Sequence, residues 1–271
     1  MGIASVRPPA VAGLFYPGDP RELDAMLEHL FARTGNGAFT VCPKAIIVPH
    51  AGYIYSGQTA AQAFARLKPW AATLSRVVIL GPTHRVPLHG IALPASDGFA
   101  TPFGTVEVDR GALAKVRALP GVCVYDAAHA GEHSLEVQLP FLQLVLDHFK
   151  VVPLAVGRAD SQSVATVIEQ LWGGPETLFV VSTDLSHFHA YREAQELDSE
   201  TVRRILALEH DIDPELACGA YPLNGLMRIA EQHGMSTLLL EQCNSGDTAG
   251  DRRRVVGYCS VALFEPTRHA H

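Results

Sequence analysis

Short apolar runs rich in valine and isoleucine alternate along the chain with longer stretches patterned for one-sided helices. KAIIVP (44–49), RVVILG (76–81), KVVPLAVG (150–157), TLFVVS (177–182), STLLLEQC (236–243) and RVVGYCSVALFE (254–265) predict buried strands. GIALP (90–94) and GTVEVD (104–109) predict shorter ones, the second alternating with period two. Between them, SGQTAAQAFARLK (56–68) predicts a helix capped by Ser56. SLEVQLPFLQLVLDHF (134–149) predicts a helix that Pro140 kinks or divides, and SQSVATVIEQLW (161–172) another. Three further helical stretches fill roughly 190–234. Buried strands alternating with helices predict an α/β fold, with a central mostly parallel or mixed sheet and helices on both faces. No linker, composition break or short repeat divides residues 1–271, so a single domain is expected.

Composition narrows the function classes. A hydrophobic content of 48% over 271 residues supplies a sizeable core. The net charge is −7, and DRRRVV (251–256) is the one basic cluster, so no nucleic-acid footprint is expected. No apolar run reaches membrane-spanning length, and the first residues lack a signal-peptide layout, so a cytoplasmic location is expected. Cys42, Cys123, Cys218, Cys243 and Cys259 are scattered and odd in number, which argues against a disulfide framework or a zinc knuckle.

Thirteen histidines are more than such a composition leads one to expect, and several fall at strand ends. In open α/β sheets, ligands gather beyond the carboxyl ends of the strands. His50 follows the run 44–49, and His84 follows 76–81. After 177–182 comes TDLSHFH, with Asp184, His187 and His189. Cys243 ends the run 236–243, before the turn NSGD, and GEHSLE adds His133 and Glu136. His50 and His84 are thus placed to meet at one sheet edge and bind a metal, with a thiolate such as Cys243 as a third donor. Each residue alone also has a plainer reading. A histidine after a strand can be a hydrogen-bonded loop residue, Cys243 a small buried hydrophobe, and Asp184 a helix cap. His29, His148, His210 and His233 lie in or near helical stretches and are expected at the surface; His269 and His271 fall in the tail.

AGLFYPGDP, PHAGYIYSGQTAAQAF, ILGPTHR, EHSLEVQLPFL, STDLSHF and NSGDTAGDRRRVVGYCSVAL together resemble the Memo family, in prokaryotes called AmmeMemoRadiSam system protein B. The resemblance runs from about residue 7 to 264. It implies a fold similar to class III extradiol dioxygenases, which are non-haem iron enzymes. It further implies His50 and His84 as metal ligands, His187 as acid/base, and Cys243 where the dioxygenases have a glutamate. Iron or copper is the implied metal. The implied partners are a radical-SAM protein and an AMMECR-type protein, and eukaryotic members are linked to phosphotyrosine peptides. A two-histidine, one-cysteine face is softer than one with a carboxylate and favours copper. Glu241 lies two residues before Cys243 and would point the same way along a strand, as an outer or substitute carboxylate.

Three functions are consistent with these residues. One is a metal-dependent, dioxygenase-like oxidoreductase with His187 as acid/base, oriented by Asp184, and with His133, Glu136 and Glu241 around the ligands. A second is a metal-binding protein with a vestigial site, or one that offers its cleft to a small molecule or peptide. A third is a zinc hydrolase, since three protein ligands plus water also describe catalytic zinc.

Overall fold

The computed structural model describes residues 5–35, 37 and 39–266, so His269 and His271 lie outside the described residues. Its strands are β1 (Val6–Arg7), β2 (Ala45–Val48), β3 (Arg76–Pro82), β4 (Ile91–Leu93), β5 (Gly98–Thr101), β6 (Gly104–Glu107), β7 (Val122–Val124), β8 (Lys150–Val156), β9 (Thr177–Ser182), β10 (His187–His189), β11 (Ser236–Asn244) and β12 (Val255–Phe264). Its helices are α1 (Pro20–Ala32), α2 (Tyr53–Phe64), α3 (Arg110–Val116), α4 (Ala127–Ala130), α5 (Leu139–Val145), α6 (Ser161–Gln170), α7 (Tyr191–Leu206) and α8 (Ala220–Gln232).

The main sheet runs β10-β12-β2-β9-β3-β8-β4-β7, with β11 also paired to β12; β1, β5 and β6 form a small second sheet. Strands β2, β9, β3 and β8 are mutually parallel, whereas β12 joins β2 and β4 joins β8 antiparallel. The sheet is therefore mixed around a parallel centre, as the apolar runs predict. Every residue of β2 and β9 is buried, which is why these strands read as unbroken apolar runs rather than alternating ones. None of the described helices is long and apolar enough to cross a membrane.

Connectivity explains both the covered faces and the place of the site. The chain passes from β2 through α2 to β3, stepping over β9 in one direction. It passes from β8 through α6 to β9, stepping over β3 in the other. Parallel crossovers are right-handed, so opposite directions put α2 and α6 on opposite faces. The carboxyl ends of β2, β9 and β3 meet where the direction reverses, which opens a crevice there. Gly257 of β12 exchanges backbone bonds of 2.8 and 2.9 Å with Leu185 and Ser186, on the edge where Leu263 meets Lys44. β10 therefore continues the line that β2 leaves after Val48, and His187 comes to stand beyond His50.

Several local boundaries differ from the sequence reading. Helix α2 starts at Tyr53, not Ser56. The Tyr53 N–H donates to Phe15 O (2.8 Å), so the amino-terminal segment satisfies it, and the Ser56 hydroxyl donates back to Ala51 O (3.1 Å). The run 134–149 divides into a 3₁₀ turn at Glu136–Gln138 and α5, with Pro140 in the first turn of α5, where no N–H is required. Two helices, not three, fill 190–234. Around Asp213–Pro214 the Asp213 carboxylate accepts from Glu215 N and forms a turn instead. Helix α1 gives bounds to the helical stretch expected near His29, and YPGDP carries its start: Asp19 accepts from Arg21 N and Glu22 N, with Pro20 in the first turn.

Candidate metal centre

His50 is held by the strand beside its own. Its backbone N–H donates to Asp184 Oδ1 (2.8 Å), and its Nδ1 lies 2.7 Å from Ser182 Oγ, the last residue of β9. The Ser182 hydroxyl donates to Ser134 O (2.6 Å) and accepts from Gln138 Nε2 (3.0 Å). Its one proton is thus committed, and its remaining lone pair accepts from His50 Nδ1–H. That fixes the tautomer, leaving Nε2 with a free lone pair. At 2% exposure, His50 is held neutral, because burial, then neighbouring His84 and His133, push its pKa well below the usual value.

His84 and His133 are organised by one carboxylate. Glu132 accepts from His84 N (2.5 Å), His84 Nδ1 (2.9 Å), His133 N (2.9 Å) and Ser134 N (2.9 Å). Burial alone would raise the Glu132 pKa, but the bonds from His84 and Ser134 outweigh it and keep the group ionised well below the usual carboxylate range. With Nδ1–H of His84 on Glu132, its Nε2 faces outward, the carboxylate–histidine arrangement common at metal sites. His133 Nδ1 lies 3.3 Å from Glu132 Oε1 but out of line, and it is a buried polar atom with no hydrogen-bond partner. Burial pushes the His133 pKa down to about 4, with Glu132 opposing, so this ring too is neutral.

One ligand atom from each of His50, His84 and His133 lies within 4.8 Å of the others. The ring centroids are 5.1 Å (50–84), 5.4 Å (50–133) and 4.7 Å (84–133) apart. His50 forms the buried floor, His133 the part-buried wall, and His84 the rim open to solvent. Two imidazoles with Nδ1 committed to a hydrogen-bond partner and a third with an orphaned nitrogen fit a transition-metal ion.

The structure places the other sequence-selected residues around this group. Asp184 is buried, with its carboxylate on the backbone of His50 rather than on His187, and burial raises its pKa to about 7. His187 is half-buried on β10, and burial lowers its pKa, with His84 adding to the effect. Cys243 is not among the three; its Sγ is 3.0 Å from Thr59 Oγ1, and burial pushes its thiol up to about 11. Glu241 also lies on the Thr59 side, and burial raises its pKa. Glu136 is fully buried between Arg7, Tyr16 Oη (2.6 Å) and the backbone of Ala10 and Val11, so it ties the amino-terminal segment to the loop that carries His133. His29 and His148 are exposed, while His210 and His233 are partly buried beside Glu231 and Glu169. Sequence reasoning missed Glu132, Ser182 and Gln138. Glu132 directly precedes His133 in GEHSLE, and that adjacency was its one signal. It also missed Cys218, whose Sγ lies 3.2 Å from His50 Nε2.

The Memo-like protein family matches residues 7–262 of this chain. A MEMO1 family protein of Methanopyrus kandleri is 37% identical, over 95% of this chain and 98% of its own. One from Aquifex aeolicus is 34% identical, over 96% and 99%. In fold, the chain is similar to the crystal structure of an uncharacterized protein of Escherichia coli K12, with a TM-score of 0.53 at 12% identity, covering 81% of this chain and 98% of that one. Since the match spans almost the whole sequence and includes every residue of the histidine group, the chain belongs to the Memo-like family.

Proposed function

We propose that the protein holds one transition-metal ion on His50, His84 and His133, and uses it for oxidoreductase chemistry on a small molecule or side chain that enters over His84. The observation that carries this reading is the preset donor state of the histidines: Nδ1 of His50 is committed to Ser182 and Nδ1 of His84 to Glu132, so both Nε2 lone pairs are free. A bound iron or copper ion would supply Lewis acidity and redox capacity. The chain supplies the rest. His50 Nε2 and Asp184 close the inner end, and the Asp184 carboxylate keeps the His50 backbone in place. His187, next along the edge of β12, is positioned to take or give a proton at a substrate held over the rim. A radical-SAM and an AMMECR-type protein are the proposed partners, tested by co-purification.

The donor set also supports a second reading, zinc-dependent hydrolysis. Three imidazoles around an open rim match catalytic zinc better than a two-histidine, one-carboxylate iron face does. Metal content after metal-free purification and reloading tests the shared claim. Replacing His50 and His84 together by alanine is expected to abolish stoichiometric uptake, with His148→Ala binding like the parent. Retained binding in the double variant would sink both readings. Oxygen consumption by the iron- or copper-loaded protein, against ester hydrolysis by the zinc-loaded one, separates them.

A further inference from the structure

A cavity of about 320 Å³ opens off the carboxyl edge of the sheet, between the ends of β3 and β8 and the start of α8. Cys218 lines it, and the Cys218 Sγ lies 3.2 Å from His50 Nε2, so the cavity borders the histidine group. His89 and Arg158 line it too, Thr83 and Tyr221 add hydroxyl groups, and no carboxylate takes part. Backbone bonds set the two basic residues side by side. They pair across a parallel bridge, where Arg158 N–H donates to Leu88 O (2.8 Å), Gly90 N–H to Arg158 O (2.9 Å) and Gly157 N–H to Gly90 O (2.9 Å). Gly157 permits this approach, since a Cβ there would lie 2.1 Å from Leu88 O. Among the described residues, neither Arg158 nor His89 has an ion-pair partner. The carboxylate nearest to Arg158 in sequence, Asp160, is committed to α6, where it accepts from Ser163 N (2.8 Å) and Ser163 Oγ (2.7 Å).

We propose that this cavity is the anion subsite for the substrate: Arg158 and His89 hold the carboxylate of a small organic acid whose other end faces the histidine group. The inference deepens the metal reading above and rests on it. A solvated surface arginine needs no partner, but this one is fixed by its backbone beside an imidazole, over a cavity that borders the centre. A cation held there with no carboxylate to neutralise it attracts an anion into the space. The guanidinium fork matches a carboxylate with two parallel N–H···O bonds, and His89 donates a third from its ring N–H. A phosphate brings about two charges and three acceptor oxygens, more than one guanidinium and one imidazole answer. The volume is near the lower end of the range of about 300–1,000 Å³ for small-molecule sites, so the acid is small. Anchoring the acid by its carboxylate selects which molecules reach the histidines and in which orientation.

The test follows binding of 4-fluorobenzoate to the full chain by ¹⁹F NMR. One guanidinium–carboxylate anchor in an open cavity predicts a Kd of about 1 mM for the metal-free parent. Arg158→Gln is expected to weaken binding at least about tenfold, with Arg158→Lys intermediate because it keeps the charge without the fork. Arg85→Gln removes a charge beside His84 but outside the cavity and should bind like the parent. Uncharged 4-fluorobenzamide should not bind. Absence of 4-fluorobenzoate binding to the parent, equal affinity in Arg158→Gln, an equal loss in Arg85→Gln, or tighter binding of inorganic phosphate in competition overturns the assignment. Loading with cobalt(II) then reads where the anion sits, since its unpaired electrons broaden the ¹⁹F line of a molecule bound nearby. The cobalt-loaded parent is expected to broaden the line beyond the zinc-loaded one. An unbroadened line in a protein shown by elemental analysis to hold cobalt overturns the subsite while the metal reading stands. A parent that takes up neither metal defeats the metal reading, and this inference with it.

Discussion

Replacing Glu132 by glutamine tests how the centre is organised without touching a proposed ligand. The carboxylate is 2% exposed and accepts four N–H groups. Three of them, from His84 Nδ1, His133 N and Ser134 N, converge on Oε1, and the fourth, His84 N, reaches Oε2. An amide has one acceptor oxygen. In its best orientation that oxygen takes the Oε1 place, and its NH₂ then confronts the His84 N–H at 2.5 Å. One bond is lost and turned repulsive, while three fall from charge-assisted to neutral strength, a drop of about 1 kcal/mol each. Losing the buried charge returns part of its desolvation cost. The net loss of stability is then about 2–3 kcal/mol. Metal affinity should fall about 10–100-fold, because the bond that orients the His84 ring loses its charge and raises the ring's basicity less, while the His84 backbone loses its own bond to the side chain. Urea unfolding of the metal-free protein reads the first quantity, and competition with a chromophoric chelator reads the second. Wild-type affinity, within a factor of two, in a folded Glu132→Gln protein would refute the claim that this carboxylate organises the site.

Other residues give independent checks. Ser182→Ala removes the acceptor that fixes the His50 tautomer, and about tenfold weaker metal binding is expected, with Ser182→Thr restoring most of it; ¹⁵N chemical shifts of the His50 ring should report a mixed tautomer in the alanine variant only. Arg7→Ala strands the fully buried Glu136 carboxylate without its cation and should cost about 3–5 kcal/mol in urea unfolding. Arg7→Met combined with Glu136→Gln should recover most of that loss, and equal instability of the pair would show that packing, not charge, is responsible. His187→Gln should keep metal affinity and abolish turnover by the loaded protein; an affinity loss would instead make the ring a ligand.

The fold was legible because its centre is simple. Strands buried on both faces are apolar along their interior positions, and KAIIVP, RVVILG and TLFVVS show that, with polar residues only at their ends. Elements whose ends depend on distant backbone were not legible. Tyr53 can start α2 only because Phe15, far away in sequence, supplies a carbonyl. The three-residue β10 exists only by pairing with β12, and its Phe188 adopts φ 65°, a conformation no local pattern announces.

The site divides along the same line. A parallel strand that ends in a histidine delivers that histidine to the crevice whatever the rest of the chain does, so His50 and His84 could be picked from sequence alone. The groups that decide what those rings can do come from elsewhere. Glu132 sits on a loop 48 residues after His84, and Ser182 on a strand 132 residues after His50. Each acts through a single bond to Nδ1, and such a bond leaves no periodic trace. The same holds for sulfur. Position along the chain favours Cys243, the residue that closes a strand, but β11 hands that side chain to Thr59 on α2. Cys218, which closes no strand, reaches His50 Nε2 because the segment before α8 packs across the end of β9, where Gly219 N–H meets Thr183 Oγ1 at 2.9 Å. Gly219 leaves no room there: a Cβ would lie 2.6 Å from both Ser182 O and the Thr183 side chain. A side chain at 219 would therefore push the segment off β9 and carry the sulfur away from the imidazole. In the dipeptide Cys218-Gly219 the second residue thus sets the position of the first, a dependence that needs the fold before it can be read.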